Sequence, residues 1–267
     1  MDQEDIMGVE FSLVVPTYKE RDNIDKLVSD THKALAPSGI SYELIIVDDN
    51  SPDGTAERAR ELAKDFPVVV HQRAGKLGLA TAVMEGWEKA RGSILGVMDA
   101  DGSHDERILP YMVQFVKSER VQLAVGSRYI PGGGIGNWPL KREIISRVAV
   151  MMARPICPVA DLTSGFFVCH RNVVEGVYLN PIGFKIGLEV MMRGRYQTFT
   201  EVPYTFHDRD KGQSKLGSKE VFAYLKQLGQ LLGYWIANRP KRRRVTMKEL
   251  EQEQVIALSP DQEPARI

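Results

Sequence analysis

Cysteine is nearly absent from this sequence: Cys157 and Cys169 are the only two. Twelve positions apart, they form neither a disulfide framework nor a zinc spacing, which predicts a reducing, cytosolic setting. Long hydrophobic runs are missing too. No stretch approaches the roughly 18–20 apolar residues that span a bilayer. The opening Met1-Asp2-Gln3-Glu4-Asp5 is acidic where a secretory leader would be apolar. Neither charge sign is in excess, since 35 Lys and Arg balance 35 Asp and Glu. No global field therefore draws the chain to nucleic acid, and no nucleic-acid partner is expected. The Gly-x-Gly-x-x-Gly dinucleotide pattern, a Walker Gly-Lys-Ser/Thr loop and a Gly-x-Ser-x-Gly nucleophile elbow are all absent. His32, His71, His104, His170 and His207 are scattered, without zinc spacing.

What the sequence does contain is an alternation of apolar runs with amphipathic stretches. Phe11 to Pro16, Tyr42 to Val47 and Val68 to His71 read as strands. Between the first two, Ile24, Leu27, Val28, Thr31 and Leu35 repeat at the spacing of a helix face. This rhythm predicts an α/β fold with a mostly parallel sheet covered by helices on both faces. The central run, Ile94 to Met98, leads straight into Asp99-Ala100-Asp101. If the strand continued through these acids, its period of two would turn both to one side. Paired carboxylates at a strand's C-terminal end suit Mg²⁺ or Mn²⁺ shared with a phosphate-bearing ligand. A solvated turn before a helix opened by Asp105 is the plainer alternative.

Acids and bases segregate along the chain. Glu20, Asp49, Asp99 and Asp101 follow strands in the first half, whereas Arg128, Lys141, Arg142, Arg209, Lys211 and Lys215 lie in the second. A substrate carrying several phosphates would use both sets. Gly75–Ala80 forms a loop that could bring Lys76 near a phosphate, or could serve the turn alone. Near the C-terminus, Val221, Phe222, Leu225, Leu228, Leu232, Trp235 and Ile236 form one apolar helical stripe, followed by Arg239-Pro240-Lys241-Arg242-Arg243-Arg244. That pattern suits the surface of an anionic membrane. The plainer alternative is a helix packed on the domain with a solvated basic tail. From Glu249 onward the sequence is polar, with Pro260 and Pro264, and is expected to be disordered.

Seven blocks in order carry a resemblance. They are Val15-Pro16-Thr17-Tyr18-Lys19-Glu20, Val47 through Thr55, Met98-Asp99-Ala100-Asp101, Gly126-Ser127-Arg128-Tyr129, Thr163-Ser164-Gly165-Phe166, Asn180 through Lys185, and Gly212-Gln213-Ser214-Lys215. From about residue 10 to residue 235 the chain resembles the dolichol- or polyprenol-phosphate mannose synthases. These are inverting glycosyltransferases of the A-type, with a Rossmann-like, mostly parallel sheet flanked by helices. The expected organisation is an N-terminal tail over 1–9, a catalytic domain over 10–217, a C-terminal amphipathic helix over 218–238 as a candidate membrane-interface element and, outside the resemblance, a basic then polar disordered tail over 239–267.

The resemblance also implies roles. Pro16, Tyr18, Glu20, Val47 and Asp49 match positions that hold the nucleotide base and ribose. Asp99, Ala100 and Asp101 match the metal and diphosphate site. Arg209 and Lys215 match a basic pair that clamps the donor, and with Asp101 form the expected catalytic set. Arg128 and Arg142 match the pair that receives the lipid phosphate. Ser103 stands where the family has a Gln metal ligand, and a hydroxyl is the weaker ligand. The implied reaction takes mannose from GDP-mannose to dolichyl or polyprenyl phosphate with inversion, using Mg²⁺ or Mn²⁺, on the cytosolic face of a membrane. A membrane-anchoring partner protein is plausible. The alternatives are a UDP-glucose polyprenyl-phosphate transferase and a catalytically silent nucleotide-binding subunit of a membrane complex.

Overall fold

The computed structural model describes residues 8–136, 140–182, 185–207 and 218–253, with the side chains of 141–142 and 218–221 left out of the description. Strands β1 (Phe11–Thr17), β2 (Tyr42–Asp48), β3 (Val68–Gln72) and β4 (Ile94–Val97) alternate with helices α1 (Ile24–Leu35), α2 (Thr55–Leu62) and α3 (Leu79–Lys89). Helix α4 (Leu109–Lys117) follows, then β5 (Leu123–Ser127), α5 (Leu140–Ala153), β6 (Phe167–His170), α6 (Ile186–Arg193) and β7 (Thr198–Pro203). The last described elements are α7 (Ser218–Asn238), β8 (Arg243–Arg244) and α8 (Met247–Gln252). The eight strands among the described residues join one sheet in the order β3-β2-β1-β4-β6-β5-β7-β8. Only β6 runs against its neighbours, so the C-terminal ends of β1, β2, β4, β5 and β7 open on one edge.

Strand alternation builds two cores, one on each face. Leu13, Val15, Leu44 and Ile46 pack with Ile24, Leu27 and Val28 of α1 and Met112 and Val116 of α4. Val14, Ile45 and Val47 face the other way, onto Val83 and Trp87 of α3 and Val190 of α6. Close packing requires glycine at two places, Gly86 where α3 meets the sheet and Gly96 where β4 lies beside β1. A Cβ on Gly86 would lie 2.4 Å from Val14 Cγ1, and one on Gly96 2.7 Å from the Phe11 ring.

Two expectations need correction. The central strand ladder ends at Val97, so Asp99 and Asp101 sit on a bend beyond the strand and its alternation does not orient them. The segment expected as a solvated tail is ordered through residue 253: β8 pairs parallel with β7, and Thr246 caps α8 in a reciprocal box with Glu249. Val245 and Leu250 are buried there, which holds the strap against the core. Residues 254–267 lie outside the described residues.

Candidate active site

The loop after β1 and the loop after β2 are tied together first. Asp48 accepts from Thr17 Oγ1 at 2.9 Å, from Ser51 N at 2.7 Å and from Ser51 Oγ at 2.6 Å. Lys19 N donates to Ser51 Oγ at 2.9 Å. Lys19 and Asn50 both adopt left-handed backbone, at φ 62° and 55°. Such conformations in non-glycine residues collect at functional loops. Tyr18 stands half-buried at this edge with Lys76 Nζ 3.8 Å from its ring centroid. Glu20 accepts from Asn23 Nδ2 at 2.6 Å.

Asp49 is engaged within the fold. Its carboxylate accepts from Gly78 N at 2.7 Å and pairs with buried Arg73, which also bonds Glu85. Burial alone would depress the Arg73 pKa, but the bonds to Glu85 and Asp49 hold it above its usual range. Val47 and Ala100 bury their side chains in the two cores, leaving only backbone groups to meet a ligand.

On the bend after β4, Asp99 keeps 32% of its side chain exposed and lies 3.4 Å from His104 Nε2. Asp101 is buried and accepts from Ser103 N at 3.1 Å. Ser103 Oγ is fully buried and finds no hydrogen-bond partner among the described residues. Two carboxylates beside an orphaned hydroxyl are a hard-oxygen donor set, and they fit a small divalent cation. Among the described residues no group of three or more His, Cys, Asp or Glu is placed to hold a metal. His104 is wedged between Phe166 and Tyr204, and its Nδ1 lies 3.0 Å from the Tyr204 hydroxyl. Burial drives the Tyr204 pKa far up, so this hydroxyl stays protonated.

The basic side of the edge begins one residue after β5. Arg128 places Nε 2.6 Å and Nη2 2.7 Å from the two oxygens of Asp161, and Nη2 also reaches Thr163 Oγ1 at 2.8 Å. Desolvation works against its charge, but Asp161 outweighs it and the guanidinium is held above its usual pKa. Lys185, at the start of α6, is pushed down to about 8 by burial and by the nearby Arg128 charge. The loop carrying Thr163 also carries Gly165, which lies beside Asp99: a Cβ there would stand 3.4 Å from Asp99 Oδ2, in ordinary contact. One loop thus lies against both the acidic bend and Arg128.

Of the expected site residues, Pro16, Tyr18, Glu20, Val47, Asp49, Asp99, Ala100, Asp101, Ser103 and Arg128 gather on this one edge. Arg142 lies on α5 with its side chain outside the described set, and Arg209 and Lys215 fall outside the described residues. Arg73, His104, Asp161 and Lys185 joined the site without a role in the sequence reading. Lys185 closes one of the resemblance blocks, Asn180 through Lys185, and Asp161 stands two residues before another, Thr163-Ser164-Gly165-Phe166. Nothing local marked Arg73 or His104.

The mostly parallel sheet carries the acidic bend and Arg128 at the C-terminal ends of its strands, the edge where open α/β sheets bind ligands. A family model for glycosyl transferase family 2 matches residues 12–177. The chain belongs to that family and is a glycosyltransferase. Among its relatives is the dolichol-phosphate mannosyltransferase of Saccharomyces cerevisiae, 38% identical over 236 residues, 84% of this chain and 88% of that one. The dolichol-phosphate mannosyltransferase of Pyrococcus furiosus is 43% identical over 83% of this chain, which spans 63% of that relative's length. In fold, the chain is similar to glucosyl-3-phosphoglycerate synthase of Mycobacterium tuberculosis, solved with Mn²⁺ and UDP, at TM-score 0.58 and 18% identity over 84% of this chain and 78% of that one. It is also similar to mannosyl-3-phosphoglycerate synthase of Rubrobacter xylanophilus, at TM-score 0.57 and 18% identity over 94% and 78% of the two chains.

Proposed function

We propose that this protein transfers mannose from GDP-mannose to dolichyl or another polyprenyl phosphate with inversion at the sugar C1. The observation that carries the reading is the juxtaposition across one loop: the Asp99–Asp101 bend on one side and the buried Arg128 on the other. A diphosphate donor and a monophosphate acceptor need such a pair of neighbouring sites. The names of the Pyrococcus furiosus and Saccharomyces cerevisiae relatives support a mannosyl group and a dolichyl phosphate acceptor.

The chemistry asks little of a general base. A phosphate monoester is anionic near neutral pH, so its oxygen attacks C1 directly while the nucleoside diphosphate leaves. Arg128, its plane fixed by the Nε and Nη2 bonds to Asp161, would turn Nη1 toward that phosphate. Asp99, Asp101 and Ser103 would hold Mg²⁺ or Mn²⁺, which when bound supplies positive charge against the diphosphate. Arg209 and Lys215 are assigned to the donor phosphates, Arg142 to the acceptor phosphate, and Tyr18 and Glu20 to the nucleoside. Asp49 is assigned indirectly, through Arg73 and the Gly78 turn it holds.

The acceptor's tail implies a lipid surface. Among the described residues no helix is long and apolar enough to cross a membrane. Two helices instead present apolar side chains to the outside. On α5 these are Leu140, Ile144, Val148 and Met151, and on α7 Phe222, Leu225, Leu232 and Ile236. Tyr129 Oη donates to Ser146 Oγ at 2.8 Å, linking α5 to the residue beside Arg128. We assign these faces to peripheral binding on the cytosolic side of a membrane, alone or beside an anchoring protein.

The test is transfer of labelled mannose from GDP-mannose to a short polyprenyl phosphate with Mg²⁺ or Mn²⁺, with UDP-glucose in parallel. Mannosyl lipid from GDP-mannose alone is expected. Product from UDP-glucose alone would keep the acceptor and replace the donor. Nucleotide binding without product from either donor would overturn the enzymatic reading.

A further inference from the structure

Glu201 is a buried carboxylate that the proposed reaction does not use. It lies on β7 with its side chain fully covered, where an unpaired charge is costly. Its oxygens accept from Ala160 N at 3.0 and 3.1 Å and from Asp161 N at 3.2 Å. Its charge partner is Arg244 on the C-terminal strap, 3.4 Å from Oε2. The strap itself is pinned on both sides of that residue, by Arg243 N to Gln197 O at 2.7 Å and Val245 N to Phe199 O at 2.8 Å.

What Glu201 holds is the middle of a long irregular connection. Between α5 and β6 the chain has no helix or strand from residue 154 to residue 166, yet Asp161 within it must meet the Arg128 fork with both oxygens. Backbone bonds to a fixed carboxylate remove the freedom that such a loop otherwise retains. Arg128 N also donates to Asp161 Oδ2, at 3.0 Å, so main chain and guanidinium share one anchor. The order of contacts runs from Arg244 to Glu201, to the 160–161 backbone, to the Asp161 carboxylate, to Arg128.

We propose that Glu201 and Arg244 are positioning residues for the acceptor phosphate: the C-terminal strap, through Glu201, fixes the 160–161 backbone and with it the angle at which Asp161 presents Arg128. The proposal rests on the assignment of Arg128 to that phosphate. It gives the last strand a role in acceptor affinity, remote from the donor loops after β1 and β2.

The experiment measures, on the full chain by calorimetry, the affinity for farnesyl phosphate and separately for GDP. In Glu201→Gln and Arg244→Gln, farnesyl phosphate affinity falls on the order of tenfold while GDP affinity stays within about twofold. Arg244→Lys, which retains the charge, restores most of the loss. Arg128→Lys is the reference and weakens farnesyl phosphate binding at least as much. If Arg128→Lys weakens it and the Glu201 and Arg244 variants do not, the positioning role is wrong and the Arg128 assignment stands. If Arg128→Lys leaves it unchanged, the assignment itself is wrong and the proposal falls with it. Equal losses for both ligands would mark Glu201 and Arg244 as structural only. Arg244 is 39% exposed, so its variants remain informative should Glu201→Gln not fold.

Discussion

The side chains of Arg128 and Asp161 meet at two points, Nε to Oδ2 at 2.6 Å and Nη2 to Oδ1 at 2.7 Å, and are only 6% and 0% exposed. A pair this deep is costly to break from one side, because the remaining charge stays in a dry environment. Asp161→Ala is expected to lower stability by about 3–5 kcal/mol. Urea denaturation measures it, and a loss below about 1 kcal/mol would mean that water reaches Arg128 freely.

The acidic bend makes a prediction about chemistry. Asp101→Ala should abolish sugar transfer while the chain still folds cooperatively, at a stability cost of about 0.5–3 kcal/mol for a buried, hydrogen-bonded side chain. Transfer near the wild-type rate in that variant would remove Asp101 from the metal and diphosphate site.

Lys185 gives stability a pH dependence of known sign. Its folded pKa of about 8 lies below the ordinary 10.5, so between these values the unfolded chain binds a proton that the folded chain does not. Stability from this group therefore rises with pH across that window. Lys185→Met removes the rise. The check is the difference in unfolding free energy between the two proteins from pH 7 to pH 10; a constant difference would show that Lys185 titrates normally.

Helix–sheet contact at α3 leaves no room for a methyl group. Gly86→Ala forces a Cβ to 2.4 Å from Val14 Cγ1, and a cost of about 1–3 kcal/mol is expected from overpacking. Val14→Ala in the same chain should recover part of it by opening the space. Neither effect on the thermal midpoint would mean that α3 sits further from β1.

Membrane association should depend on the outer face of α7. Phe222 is 72% and Ile236 58% exposed, and each apolar side chain is worth roughly 1.5–3 kcal/mol when buried in lipid. Phe222→Ser with Ile236→Ser should reduce cosedimentation with anionic vesicles by at least about tenfold. Undiminished binding would shift the contact to α5 or to a partner protein.

Much of this molecule was legible locally. The α1 stripe of Ile24, Leu27, Val28, Thr31 and Leu35 is the set that is buried, because helix periodicity and one-sided packing leave no other choice. The polar ends of β1, β2 and β4 share one edge because parallel strands with helical crossovers must. The antiparallel β6 was less legible, since Phe167–His170 carries no local sign of its direction. The basic run was misread for a related reason: Arg242 donates to the carbonyls of Met191 and Met192 at the end of α6, and Arg244 reaches Glu201. A solvated arginine and one capping a distant helix look alike in sequence.

The sequence by itself determined the elements, their alternation and the residue types at each strand end, because these follow from periodicity over a few residues and from motif spacing. Only the tertiary structure decided how those ends are used. It drew Asp49 inward to Arg73, set Asp161 against Arg128, and carried the C-terminal strap back to Glu201. The reason is that a buried charge takes its partner from whatever the fold brings within reach, and that partner is rarely near it in the chain.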